Sequence, residues 1–333
     1  MDKKIYTKLN NSFKKEYIFH VGAEAGLYSE INNMIFSVLY CLKYEYKFKL
    51  YSKDANFGFK NGWEDYFLPF CEETKFSWHH YFNKRTNAPV ISKTDTVKKI
   101  FYNSYRTLNK KTSLTFDLWD KFLSYKFNDE YFNMPELGIN GNLNHACYRI
   151  IEIIYQFNPQ IQNELDKYKK QIKLPKEYVS FQIRRGDKNI EKEYVSIEKY
   201  FNYIKENYTT KNLFILADDY SSIIEASNQY PQYNIFTLAV PDDRGYIHAD
   251  FIKLSHINKK EKIVRLLASI EIMREAEAIL GAFIANTELF LGMAEPKKMV
   301  WLDEQEWGIL QKKKDGMTTE MINFYKIHYL KDF

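Results

Sequence analysis

What most constrains this chain is an alternation in its second half. Short apolar runs end in charged or glycine-bearing turns and are separated by stretches with helical spacing. Residues 177–184, 212–217, 233–238, 278–281 and 299–302 have the composition and length of strands. Residues 195–208, 221–229, 259–275, 287–293 and 317–329 fit helices, the third with Ile263, Leu266, Leu267 and Ile270 on one face. Continuous apolar strands alternating with helices call for a parallel sheet covered on both faces.

The first half begins the same way. Residues 17–21 form a strand-like run, Gly22 and Gly26 bracket a turn, Ile31, Met34, Ile35, Val38, Leu39 and Leu42 recur at helical spacing, and residues 46–51 alternate like a strand. Residues 60–140 are aromatic and irregular, with helical stretches at 96–108 and 114–126, and 144–169 read as one helix. At 333 residues the chain fits two domains of about 150 each. The break at Lys173, Leu174, Pro175 and Lys176 is the expected boundary, giving domains 1–172 and 173–333. The expected fold class is α/β: two Rossmann-like domains with a cleft between them.

Charge and cysteine usage exclude several functions. The net charge is +5, with basic and acidic residues interspersed, which argues against a nucleic-acid partner. The most basic short run, Lys312 to Lys314, fits a solvated helix end. Cys41, Cys71 and Cys147 are too far apart for a zinc site or a disulfide framework, which points to a reducing, cytoplasmic setting. The first fifteen residues lack an apolar core, and the longest apolar stretch, 34–42, is about half of the roughly 20 residues that a membrane span needs. The expected localisation is cytoplasmic, with room for a peripheral contact at the inner face of a membrane.

No phosphate-binding G-x-x-x-x-G-K-[ST], dinucleotide G-x-G-x-x-G, H-E-x-x-H or G-x-S-x-G occurs. No Asp-x-Asp triplet occurs either, so a sugar diphosphate held through a divalent metal is not expected, and no metal site is assigned. His79 and His80 sit beside Trp78, Tyr81 and Phe82, a setting of aromatic packing more than of metal ligation.

The strand ends carry the chemistry. Residues 177–184 run directly into Arg184, Arg185, Gly186, Asp187 and Lys188. In an open α/β sheet, ligands bind beyond the carboxyl ends of the strands. A guanidinium fork placed there suits a diphosphate. Taken alone, the same residues also fit a surface turn. The next strand ends at Asp218 and Asp219, placed to hold ribose hydroxyls or a base edge, although Asp219 also suits a helix N-cap. A third strand end leads through Ala282 to Asn286, where a helix N-terminus makes an anion site.

Three blocks, in order, resemble GDP-fucose-dependent fucosyltransferases of the α1,6 and α1,2 types. Arg184 to Lys188, with Glu191 and then Ile197, Glu198 and Tyr200, is similar to their "H-V-R-R-x-D-K … E … I-E-x-Y" block. Leu213 to Asp219, then Glu225, Ala226, Tyr230 and Pro231, looks like their "A-T-D-D … y-P" block. Ala282, Phe283, Asn286 and Phe290 are similar to their "T-F-S-S-N … F" block. The likeness covers about residues 155–303, and the Gly22 to Gly26 turn resembles their glycine-rich entry turn.

This resemblance implies an inverting GT-B glycosyltransferase that uses GDP-fucose and needs no metal or other cofactor. Arg184 would bind the donor β-phosphate and act as the catalytic cation. Arg185, Asp187, Lys188, Glu191, Asp218, Asp219, Glu271, Asn286, Gly22 and Gly26 would line the donor site. By analogy the acceptor is a glycan of the surface-polysaccharide or lipopolysaccharide type. The family's His is Gln182 here, its Thr and two Ser are Ala282, Ile284 and Ala285, and Asp218 follows Ala217 with no Thr between. These departures leave the sugar and the base open. Another nucleotide sugar, or a non-catalytic nucleotide- or glycan-binding protein, are the alternatives.

On the acceptor side, Glu24 is the favoured base, with Glu30 and His20 nearby in sequence. Of the 57 aromatic residues, 35 fall in residues 1–170. Codon bias should not distinguish two halves of one chain. The cluster at 57–82 is therefore the expected acceptor region, with Trp63 and Trp78 as sugar-stacking residues.

Overall fold

The computed structural model describes residues 3–85, 96–122, 130–186, 195–282 and 285–302. Two compact units divide at Gln156 and Phe157. The division falls before the Lys173 to Lys176 break because the intervening helix packs inside the second unit. The expected 144–169 helix is in fact two helices. Asn158 accepts a hydrogen bond from Ile161 N at 2.9 Å and Pro159 takes the first helical position, a start signal that ends the preceding pattern.

The first unit contains α1 (Lys3–Ser12), β1 (Lys15–His20), α2 (Leu27–Lys43), β2 (Tyr46–Tyr51), β3 (Glu72–Glu73), α3 (His79–Phe82), α4 (Thr96–Leu108), β4 (Thr112–Leu114), α5 (Thr115–Leu118), β5 (Phe132–Met134), β6 (Ile139–Gly141) and α6 (Leu143–Ile154). Its parallel sheet has the order β3-β2-β1-β4, and β5 and β6 pair separately as an antiparallel ribbon. The helix expected at 114–126 begins as α5 and continues as a 3-10 turn at Trp119–Lys121, its part from 123 on lying outside the described residues; β4, just before it, is only three residues long and too short to show a period.

The second unit contains α7 (Pro159–Ile172), β7 (Val179–Ile183), α8 (Ile197–Asn207), β8 (Asn212–Ala217), α9 (Tyr220–Gln229), β9 (Asn234–Phe236), α10 (His248–Phe251), α11 (His256–Glu275), β10 (Ala278–Gly281), α12 (Asn286–Ala294) and β11 (Met299–Trp301). All five strands are parallel in the order β11-β10-β7-β8-β9. Ion pairs Lys260–Glu164 at 2.7 Å and Lys169–Glu275 at 2.5 Å tie α7 to α11. The helix expected at 317–329 and the Lys312 to Lys314 run lie outside the described residues.

Numbered within its own unit, each sheet follows the doubly wound order, 3-2-1-4 in the first and 3-2-1-4-5 in the second. The chain winds one way from its first strand and then returns to the other side. That reversal creates a switch point beside the first strand, β1–β4 in one unit and β7–β10 in the other, where such sheets bind ligands.

The cores differ in kind. Tyr17, Phe19, Phe48 and Phe122 meet across the first sheet with ring centroids near 6 Å apart, and Trp63 stacks on Phe67 at 4.2 Å. The second sheet buries chiefly Val179, Ile183, Ile204, Leu213, Ile215 and Leu280, with Phe181 and Phe201 among them. Much of the aromatic excess in the first half is therefore packing.

Candidate functional site

The switch point of the second sheet gathers the charged strand ends. Arg184 follows the last residue of β7, which places it at the carboxyl edge of the sheet. Its guanidinium Nη1 donates to Asp218 Oδ2 and, at 2.8 Å, to Arg185 O, and the group lies 5.3 Å from the centroid of the Tyr246 ring. The Arg184 side chain is only 9% exposed, so its orientation is held by packing as well as by the ion pair.

Asp218 organises this edge. Its Oδ1 accepts from Arg185 N at 2.8 Å, its Oδ2 from Tyr246 N at 2.9 Å, and its carbonyl from Gly245 N at 2.9 Å. Gly186 completes the lock. Its φ of +65° lies in the left-handed region, and a Cβ there would stand 2.3 Å from Tyr246 O. One carboxylate thus fixes two loops against each other and braces the arginine. The sequence reading placed Asp218 near a nucleoside; its contacts make it the residue that positions Arg184.

Asp219 caps α9, accepting from Ser221 N at 2.9 Å and Ser221 Oγ at 2.7 Å, the alternative role foreseen for it. Glu271 pairs with Arg274 at 3.0 Å, and Arg274 in turn pairs with Glu295. Asn286 opens α12. The anion site expected at this helix end is already supplied by the chain: buried Glu288 accepts from Ala282 N at 3.2 Å and Ala285 N at 3.0 Å. Gln182 accepts from Thr287 Oγ1, a buried side-chain link between β7 and α12 across the switch point. Thr287 and Tyr246 have partners distant in sequence and are not legible from it, whereas Glu288, three residues past the helix-capping Ala285, carries a local capping signal. Asp187, Lys188 and Glu191 lie outside the described residues.

In the first unit, Gly22 has φ +74°, and a Cβ on it would meet the Ala55 Cβ at 2.6 Å. Tight packing against the loop after β2 therefore explains Gly22. Gly26 is extended at φ −69° and simply precedes α2. Glu24 is engaged by Arg85, at 3.2 Å from Nε, so it is not the unpaired carboxylate expected of a base. Glu30 is fully buried; burial raises its carboxyl above the ordinary range and Arg85 pulls it partly back.

Of the two tryptophans expected to stack on an acceptor sugar, Trp63 is corrected. Trp63 is 1% exposed within the aromatic core and has no face to offer a sugar. Trp78 is half-buried, with the His79 ring stacked on it and the Tyr105 ring tilted against it, each at 4.0 Å. Among the described residues, no cluster of three His, Cys, Asp or Glu is arranged to hold a metal, and no helix is long and apolar enough to cross a membrane.

No family model matches the sequence, and no curated protein matches it. Solved structures do resemble the fold. A fucosyltransferase NodZ from Bradyrhizobium is 9% identical with a TM-score of 0.46, covering 84% of this chain and 93% of its own. FUT1 of Arabidopsis thaliana, in complex with GDP, is 12% identical with a TM-score of 0.45, covering 92% of this chain and 76% of its own. POFUT1 in complex with GDP is 10% identical with a TM-score of 0.45, covering 86% and 98%.

Proposed function

We propose that this chain is a glycosyltransferase that holds a nucleoside-diphosphate sugar at the switch point of its second unit. GDP-fucose is the donor and a glycan hydroxyl the acceptor, with inversion at the transferred carbon. The observation that carries the reading is Arg184, braced by Asp218 at the carboxyl end of β7 within the block that resembles fucosyltransferases. A fixed guanidinium at that edge meets the charge that develops on the leaving diphosphate. Such stabilisation is worth most when the group is oriented before the reaction begins.

Arg184→Ala should lower transfer by about 10³-fold while leaving the fold intact. Release of fucose from GDP-fucose, followed by chromatography, reads this without knowledge of the acceptor. Turnover near that of the wild type would overturn the donor assignment. Chelator should leave the rate unchanged; a strong loss would overturn metal-free donor binding.

A second reading, another nucleotide sugar, is favoured by Ala282 and Ala285. Ala282, just past β10, and Ala285, just before α12, are both buried and offer no hydroxyl to the donor. Thermal shifts with GDP, UDP and ADP separate the two, since a ligand that binds the folded state raises its apparent stability.

A further inference from the structure

We propose that α4 docks the chain on an anionic lipid surface, its apolar stripe sinking among the acyl chains while the lysines beside it meet the headgroups. The inference stands on the first unit alone and is independent of the transferase reading.

Helical spacing sets the stripe. Val97, Ile100, Phe101 and Leu108 stand at i, i+3, i+4 and i+11, so they line one face of α4. The opposite face is the one that packs. Tyr105 tilts against Trp78 at 4.0 Å, Tyr102 tilts against Phe82 at 5.6 Å, and Arg106 pairs with Asp117 at 2.7 Å. These contacts fasten the helix to its unit and leave the stripe out. Val97, Ile100, Phe101 and Leu108 are 77%, 61%, 56% and 83% exposed, whereas the same unit buries Phe19, Phe48 and Phe57 completely. Single exposed apolar residues are ordinary, but four on one helical face mark a contact surface.

The charge around the stripe has one sign. Residues 96–111 hold five basic residues and no Asp or Glu. Asp117 neutralises Arg106, while Lys99 on the helix and Lys110 and Lys111 just past its end are exposed.

This charge selects the occupant. A second copy related by a twofold axis would set the same cations against one another, since such an interface pairs a patch with itself. A protein partner for a convex stripe needs a groove of matching shape. A leaflet containing anionic lipid yields to side chains of any shape and carries the opposite charge. The helix then lies in the plane of the interface, and the long lysine stems let their ammonium groups stay with the phosphates.

Vesicle flotation of the intact chain tests this. Vesicles of phosphatidylglycerol and phosphatidylcholine in equal parts should carry the protein. Phosphatidylcholine alone should carry about 10-fold less, and about 0.5 M salt should release the protein from the mixed vesicles. Phe101→Ser combined with Leu108→Ser should lower the partition coefficient by about 10- to 100-fold. The thermal midpoint of that variant should stay at the wild-type value, because neither side chain packs in the fold. Lys110→Ser combined with Lys111→Ser should lower partition by about 10-fold and flatten its salt dependence. Lys199→Ser combined with Lys205→Ser makes the same change of charge at exposed positions of α8 and should leave partition unchanged. A wild type that does not float, equal partition onto both vesicle types, or either α4 variant floating as the wild type does overturns the proposal. An equal loss from the α8 pair also overturns it, because binding would then follow net charge alone. A wild-type dimer in sedimentation that the Phe101 and Leu108 substitutions dissolve would put a second copy on the stripe and overturn it too.

Discussion

The two units use one strand order for two kinds of chemistry. At the edge of the second sheet, Asp218 pairs with the Arg184 guanidinium and accepts from the Arg185 backbone N–H, the arrangement proposed above to meet a diphosphate. At the edge of the first, His20, Asp54 and His80 form a chain of proton donors and acceptors, and Arg85 is spent on Glu24 and Glu30. The cores differ in parallel, with stacked rings in the first unit and mainly aliphatic side chains in the second. A doubly wound sheet thus dictates where a site sits, while the residues just past each strand decide what it handles.

The sharpest way to break this contrast is through the cores. Trp63→Ala should cost about 3–5 kcal/mol, because it empties a filled aromatic site. Denaturant unfolding measures it, and a cost below 1 kcal/mol would mean that Trp63 is a surface residue after all. Next comes Gly186→Ala. The positive φ and the 2.3 Å approach to Tyr246 O predict a loss of about 1–3 kcal/mol together with weaker GDP binding. Stability and affinity should fall together, since the same loop contact braces Arg184.

A pH-dependent loss of stability distinguishes the edge of the first sheet. His79 is held down to about 3 from an ordinary 6.5, so the unfolded chain binds its proton first as pH falls. Stability is full above 6.5 and drains as pH approaches 3. Asp54, lowered from 3.8 to about 2, adds its own loss only below 3.8. Denaturation midpoints between pH 7 and 4 should therefore decline, and His79→Phe should flatten that decline. An equal slope in the variant would place the titrating group elsewhere.

Much of this architecture is legible in sequence where a period is long enough to show. The α2, α8, α9 and α11 helices and the β2, β8 and β10 strands fall within a few residues of their apolar patterns. The β4 strand is not legible, because three residues carry no period and its identity comes from pairing with β1. The Asn158 and Pro159 start signal is legible and marks the unit boundary better than Lys173 to Lys176. In the site, Arg184 is readable as a strand-end cation. The bracing by Asp218 is not, since its partners run from Arg184 to Tyr246, and the carboxylate alone suits several roles. The His20, Asp54 and His80 chain is hidden for the same reason, with sixty residues and three elements separating its ends.

Calorimetric titration of GDP into the wild type and into Arg184→Ala tests the central claim most directly. The account predicts saturable binding to the wild type and a loss of about 10- to 100-fold in the variant, the value of a charge-assisted contact to phosphate. Equal affinity in the two proteins would contradict it.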